Sequence, residues 1–266
     1  MLDNQHPVEI LMEHTLTGKM DQYPLIIIPE CDYLEPGFIE ELRSYVKGGG
    51  NLMIVGVETT KMFQHEIGIK SLKIMNETQA FIAVSDKIGA IRSALDSVVL
   101  NPEVKATSTF YEGSDFRLKG KMIASSFNNA GKGKIAAVYF NAGSDYKEYK
   151  SPILRDYINN IIAELFSNQL VKVTGSHLVH VTVNNLNNKM YINLINIAGE
   201  HTNQNAIGYD EIPSLRDLKV SINTKQKPSK IILQPEGREL EIDYQNGLSK
   251  VVVPELMVHS ILEVIL

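Results

Sequence analysis

Apolar and polar residues follow two different rhythms along this chain, and the change of rhythm divides it. In the first 168 residues, short unbroken apolar runs alternate with stretches of helical spacing. Leu25–Ile28 and Leu52–Val55 are such runs, the mark of strands buried on both faces. Between them Phe38, Ile39, Leu42, Tyr45 and Val46 recur at i, i+1, i+4, i+7 and i+8, which makes one apolar helix face. Pro36 stands near the first turn, where a missing N–H costs nothing. Glu40 and Glu41 come early and Lys47 late, as the helix dipole favours. Gly48-Gly49-Gly50 can stop the helix in left-handed conformations. Strand, helix and strand this close predict a βαβ unit with a right-handed crossover, and Tyr23–Gly56 organises the first half of the chain.

Around that unit the pattern predicts further elements. Residues 7–12 read as a strand and His14–Met20 as a connection. A doubly wound sheet normally begins near its centre, so the start looks abrupt, as if a strand and a helix stood upstream. Thr59–Ile67 reads as a helix ending at Gly68, residues 70–84 as short alternating pieces, and Ala90–Leu95 as a helical turn. Residues 104–127 hold two or three strands, Asn128–Gly133 a polar turn, and Ile135–Phe140 a clear strand. Ser151–Phe166 is the strongest helix: Ser151 suits an N-cap, Pro152 a first helical residue, and paired apolar residues recur from Ile153 to Phe166.

From Val171 the helical rhythm disappears. Strands are expected at Val171–Thr174, Leu178–Val183, Met190–Ile195, Leu218–Ile222, Lys230–Leu233, Glu239–Tyr244, Lys250–Val253 and Val258–Leu266. Turn signals separate them, notably Asn246-Gly247 and Pro254. Many short strands at this spacing predict an antiparallel β-sandwich, with Ala198–Pro213 as a polar surface loop. The expected domains are residues 1–168 and 169–266, hinged at Asn168–Leu170.

Composition narrows the function classes. With 44% hydrophobic and 21% charged residues the chain reads as globular, and its 266 residues suit two domains. A net charge of −5 argues against nucleic acid as partner. One cysteine excludes an internal disulfide framework. No run of eighteen apolar residues exists, so no membrane span is expected. The opening MLDNQHPVE lacks an apolar signal core. That fits the cytoplasm, or the periplasm or cell exterior if this is a mature form or piece of something longer.

Several stretches carry a family resemblance. YPLIIIPE, the helix ending RSYVKGGGNLMIVG, then GKGKIAAVYFNAGSDY and SPILRDYINNII resemble a glutamine-amidotransferase-like, flavodoxin-type domain. Such domains lie behind the catalytic barrel in several glycoside hydrolase families, the β-galactosidase trimerisation domain among them. HVTVNNLNNKMYINLINIAGEH and PSKIILQPEGRELEIDYQNGLSKVVVPELMVHSILEV resemble the small β-sandwich that closes such proteins. The resemblance implies a flavodoxin-like α/β domain plus an all-β antiparallel sandwich. It implies a non-catalytic accessory or oligomerisation region in carbohydrate metabolism, partnered by copies of itself or by an upstream catalytic (β/α)8 domain, with carbohydrate as ligand and no cofactor. The relatives' catalytic carboxylates lie in that barrel, for which this chain has no room, so none is carried over. An alternative is an amidotransferase-type enzyme of small molecules using Cys31. Another is a free-standing carbohydrate-binding or scaffold protein.

Candidate chemistry is sparse. Cys31 follows a buried strand and precedes a helix, as an elbow nucleophile would. The elbow glycines are missing, with Pro29 and Tyr33 in their places, and His65-Glu66 does not supply the late His-x-Glu of amidotransferases. An incidental cysteine is the reading these residues favour. Glu30 and Asp32 flank it and Glu35 is near; a carboxylate pair about 5 Å apart could serve glycoside hydrolysis, but loop carboxylates more often cap helices. Gly131–Lys134 precedes a strand, so it reads as a turn and not as a phosphate loop. His177 and His180 point to opposite faces of an expected strand. His6, His14, His65, His201 and His259 lack ligand spacing, and no metal is expected. Tyr111, Tyr139, Tyr146, Tyr149 and Tyr209 are candidate sugar-stacking surfaces, more simply read as core or rim.

Overall fold

The computed structural model describes residues 2–187, 189–199 and 211–266. The chain divides into two compact units, Ile10–Ser167, and residues up to Glu9 together with Asn168–Leu266.

In Ile10–Ser167 a short helix α1 (Glu13–Leu16) leads to strand β1 (Leu25–Ile28), helix α2 (Pro36–Gly48) and strand β2 (Asn51–Val55). β1 and β2 pair in parallel from Leu25↔Asn51 to Ile28↔Ile54, as the apolar runs predict. α2 covers them with Phe38, Leu42 and Val46. Its end is tight. Gly49 has a φ of +123°, open to glycine, and a Cβ on Gly133 would lie 1.9 Å from the Gly50 carbonyl oxygen.

Helices α3 (Val57–Met62) and α4 (Gln64–Ile67) follow, broken at Phe63 and closed by left-handed Gly68. Then come strands β3 (Ile69–Val84), β4 (Lys87–Leu100), β5 (Lys105–Tyr111), β6 (Lys119–Ala130) and β7 (Gly133–Val138), and helices α5 (Ala142–Tyr149) and α6 (Pro152–Leu165). The sheet order is β1-β2-β7-β6-β5-β3-β4. β1, β2 and β7 are parallel, and the remaining pairs are antiparallel. The sheet is therefore mixed, where a flavodoxin-like sheet would continue in parallel. Its antiparallel end rolls back on itself: Leu95 of β4 bridges Phe140, just past β7, and the Asp96 N–H donates to the Tyr139 carbonyl at 2.8 Å. One-residue slips in the β3–β4 ladder, at Ile69/Ser71 and Met75/Thr78, give it the bends it needs.

Three expectations are corrected here. Residues 7–12 form no strand; Pro7 has no N–H to give and Ile10 is 89% exposed. Ala90–Leu95 is strand, with Ile91, Ser93 and Leu95 buried alternately. Residues 70–84 are one long strand, not short pieces. Ser151 caps α6 as expected, its Oγ accepting from the Leu154 N–H. α5 is an additional helix.

The second unit contains strands β8 (Val171–Thr174), β9 (Val179–Leu186), β10 (Lys189–Asn196), β11 (Leu215–Asn223), β12 (Lys230–Gln234), β13 (Arg238–Glu239), β14 (Asp243–Gln245), β15 (Leu248–Leu256) and β16 (His259–Ile265). They form two antiparallel sheets, ordered β13-β12-β16-β10-β9 and β14-β15-β11-β8, over one shared core that includes Val173, Val181, Ile192, Val220, Ile231, Val251 and Leu262. Asn246 and Gly247, at φ of +51° and +84°, make the expected hairpin turn. The segment Glu239–Tyr244 is not one strand. β13 and β14 belong to different sheets, and buried Leu240 lies between them. Pro254 does not end a strand but lies inside β15. It stands opposite Asp217, which has a φ of +53° and makes no ladder pair. The expected loop Ala198–Pro213, with His201 and Tyr209, falls mostly outside the described residues.

Candidate functional site

The C-terminal ends of β1, β2 and β7 form the edge where parallel sheets hold ligands. Three loops meet there: Pro29–Asp32, Gly56, and Tyr139–Asn141 leading into α5. The α5 N-terminus offers unpaired N–H groups and the positive end of a helix dipole. In nucleotide-binding folds such a place takes phosphate. Here the chain fills it itself. The Glu30 carboxylate accepts from the Gly143 N–H, the Ser144 N–H at 3.1 Å, and the Ser144 hydroxyl. Two glycines make room for it. A Cβ on Gly56, whose φ is +102°, would lie 2.6 Å from Glu30 Cγ, and one on Gly143 would lie 2.9 Å from Glu30 Oε1. Asn141 ties the third loop in, its Oδ1 accepting from the Val57 N–H at 3.0 Å and its own N–H donating to Ser93 Oγ at 2.9 Å.

Cys31 stands beside this plug, half-buried. Its N–H donates to Thr59 Oγ1 at 3.0 Å, and its sulfur lies 3.8 Å from the same oxygen. The Thr59 hydroxyl in turn donates to the Pro29 carbonyl at 3.1 Å. Burial pushes the Cys31 thiol above its ordinary range, and the charges of Asp32 and Glu13 add to this against the Thr59 hydrogen bond. A nucleophilic cysteine needs the opposite shift. Its hydrogen-bond partner is a threonine where a catalytic pair would place an imidazole. Asp32 and Glu35 are exposed, and the Glu35 N–H donates to the Glu13 carboxylate at 3.1 Å.

Two buried carboxylates that the residue pattern does not flag have raised pKa values. Asp96 is fully buried on β4. Its Oδ2 accepts from the Thr60 hydroxyl at 2.5 Å, while its Oδ1 has no hydrogen-bond partner among the described residues. Burial pushes its carboxyl up to about 6; Glu58 reinforces this, and Thr60 and Lys61 oppose it. Asp145 on α5 is 3% exposed and accepts from the Arg92 N–H at 2.7 Å through one oxygen only. Its carboxyl is also raised, by burial first and then by Glu148 and Glu30. No signal for Asp96 exists in the sequence, because it faces out of phase with the buried Ile91, Ser93 and Leu95 and meets Thr60 of α3 instead.

The remaining candidates disperse. Gly131 and Lys132 turn β6 into β7 against Lys47 of α2, with the Lys132 N–H donating to the Lys47 carbonyl at 3.2 Å. His180 lies 3.5 Å from Asp3, His259 3.1 Å from Asn193, and His177 precedes β9. Among the described residues no three metal-ligating side chains gather. Tyr139 is core, hydrogen-bonded to Ser126 at 2.5 Å, and not a sugar platform. Tyr111 packs edge-on to Phe116, and Lys150 sits over Tyr146. A closed hydroxyl network joins Thr107, Ser108, Ser125 and buried Tyr157.

No family model matches the chain, and no curated protein matches it in sequence. Solved structures do match in fold. Alpha-L-fucosidase isoenzyme 2 from Paenibacillus thiaminolyticus superposes with a TM-score of 0.74 at 16% identity, over 94% of this chain and 42% of that one. Gan42B, a GH42 β-galactosidase from G. stearothermophilus, gives 0.64 at 12% identity, over 98% and 34%. The β-galactosidase from Rahnella sp. R3 gives 0.60 at 15% identity, over 98% and 35%. The chain spans less than half the length of each, and the likeness at these identities is one of fold.

Proposed function

We propose that this chain is a non-catalytic accessory and oligomerisation region of a glycoside-hydrolase-like protein. The observation that carries this reading is the plug. The ligand end of the parallel strands is occupied by the chain's own Glu30, and the thiol beside it is shifted away from reactivity. The fold neighbours support the same reading, since nearly all of this chain matches between 34% and 42% of each of several glycosidases. We read Ile10–Ser167 as a reduced flavodoxin-like, amidotransferase-like domain whose parallel part is β1-β2-β7, and residues from 169 as a β-sandwich. The natural partner on this reading is a catalytic domain, a second copy, or both.

Assays on the purified chain test it. Turnover of neither aryl glycosides nor glutamine is expected, and Cys31→Ser should change nothing. Glycosidase activity lost on Glu30→Gln or Asp32→Asn, or glutaminase activity lost on Cys31→Ser, would overturn the reading.

A further inference from the structure

The outer face of the β14-β15-β11-β8 sheet carries a cluster of lysines with no structural task. Register places Lys172, Ser221, Lys250 and Asp243 in one row across the strands, and Thr174, Lys219 and Val252 in the next. Their neighbours Val173, Val220 and Val251 point into the core, so these residues point outward. Lys172 and Lys250 stand two strands apart, roughly 10 Å. Lys219 is diagonal to both, about 7–8 Å away. All three are exposed, and none forms an ion pair among the described residues. The nearest carboxylate in register, Asp243, accepts instead from Gln245 at 3.2 Å. No two of the lysines are directly opposed in the ladder, and Asp243 is the one carboxylate of the two rows, across from Lys250. In a chain of net charge −5 such a concentration of positive charge is not a matter of composition.

We propose that this face binds an acidic polysaccharide, a sugar chain bearing carboxylate or sulfate groups. The surroundings of the lysines select that occupant. Ser221, Thr174, Asn223 and Gln245 offer hydroxyl and amide groups suited to sugar hydroxyls, and the ammonium triangle meets the anionic groups. Protein partners are met by aromatic and arginine anchors, with lysine and serine depleted; the two rows hold no aromatic side chain, and Arg216, further along β11, is held by Glu255 at 3.2 Å. Single-stranded nucleic acid needs stacking aromatics, also missing here. The inference stands on this sheet alone and is separate from the accessory-region reading, since binding by this chain is measured without any assay of catalysis.

Affinity electrophoresis in native gels tests it, with polygalacturonate, dextran sulfate or neutral dextran in the gel. The chain should be retarded by the acidic polymers and not by dextran. The Lys172→Gln/Lys219→Gln/Lys250→Gln variant should lose the retardation. A control with the same charge change on the other unit, Lys70→Gln/Lys73→Gln/Lys121→Gln, should keep it. Lys219→Gln alone, at the apex of the triangle, should lose part of it, and this variant keeps the test readable if the triple one melts early. Four results would each overturn the proposal: no retardation by either acidic polymer, equal retardation by dextran, equal loss in the control, or stronger binding of a single-stranded oligonucleotide through the same lysines.

Discussion

Asp96 shows how one buried carboxyl couples stability to pH. Its carboxyl is raised from the ordinary 3.8 to about 6, so between these values the folded state holds the proton more tightly than the unfolded chain. Stability from this group is full below about pH 4 and falls as pH rises through 6, by on the order of 3 kcal/mol. Asp96→Asn keeps an acceptor for the Thr60 hydroxyl and removes the charge. The melting temperature of the variant should therefore exceed that of the native chain at pH 7, with the difference shrinking towards pH 4; a difference independent of pH would refute the assignment. Glu30 and Gly56 make a second residue-scale case. Gly56→Ala should cost about 1–3 kcal/mol by overpacking against Glu30, on top of its positive φ. In a Glu30→Ala background the cost should be smaller, because the Cγ it meets is gone. Equal cost in both backgrounds, measured by urea unfolding, would exclude the plug. The sequence flags Glu30 as an acid, but its role depends on α5, whose residues AGSDYKEY present no apolar face to announce a helix.

At the scale of elements, legibility follows how local the determining forces are. α2, α6 and the β1–α2–β2 unit are written in short-range spacing, proline and glycine, and they fold where that spacing puts them. β4 is different. Ala90–Leu95 has no helix-breaking residue, and its strand state comes from pairing with β3 and from closure onto Phe140, both long-range. Pro254 likewise reads as a stop until Asp217 is known to stand across from it without a ladder bond. The Glu239–Tyr244 segment crosses between sheets because Leu240 enters the core midway, which alternation alone does not reveal. The close approach at the end of α2 yields a sharp test. Gly133→Ala puts a methyl 1.9 Å from the Gly50 carbonyl oxygen, and neither partner is a flexible side chain. The variant should lose about 3 kcal/mol or fail to fold, judged by its urea midpoint, whereas Gly37→Ala, with open space at its Cβ, should lose far less.

For the whole molecule the telling feature is the edge of the mixed sheet. β1 pairs only with β2 among the described residues, so one side of an apolar strand, LIII, has no strand beside it. Proteins seldom leave such an edge bare. In the same unit the Glu13 carboxylate accepts from the Glu35 N–H, which brings the stretch holding Met12 against the stretch holding Tyr33. Met12 is 69% and Tyr33 64% exposed, large side chains that a single copy leaves in water. A second copy is the simplest cover on the accessory-region reading, for the strand edge and for these side chains alike. Light scattering after size-exclusion chromatography should then give a multiple of 29.7 kDa at micromolar concentration. Met12→Glu with Tyr33→Glu should bring the mass down to one chain without lowering the melting temperature of the dilute protein, since both positions are exposed within the monomer. A native chain that is strictly monomeric across the micromolar range would remove oligomerisation from the proposed role.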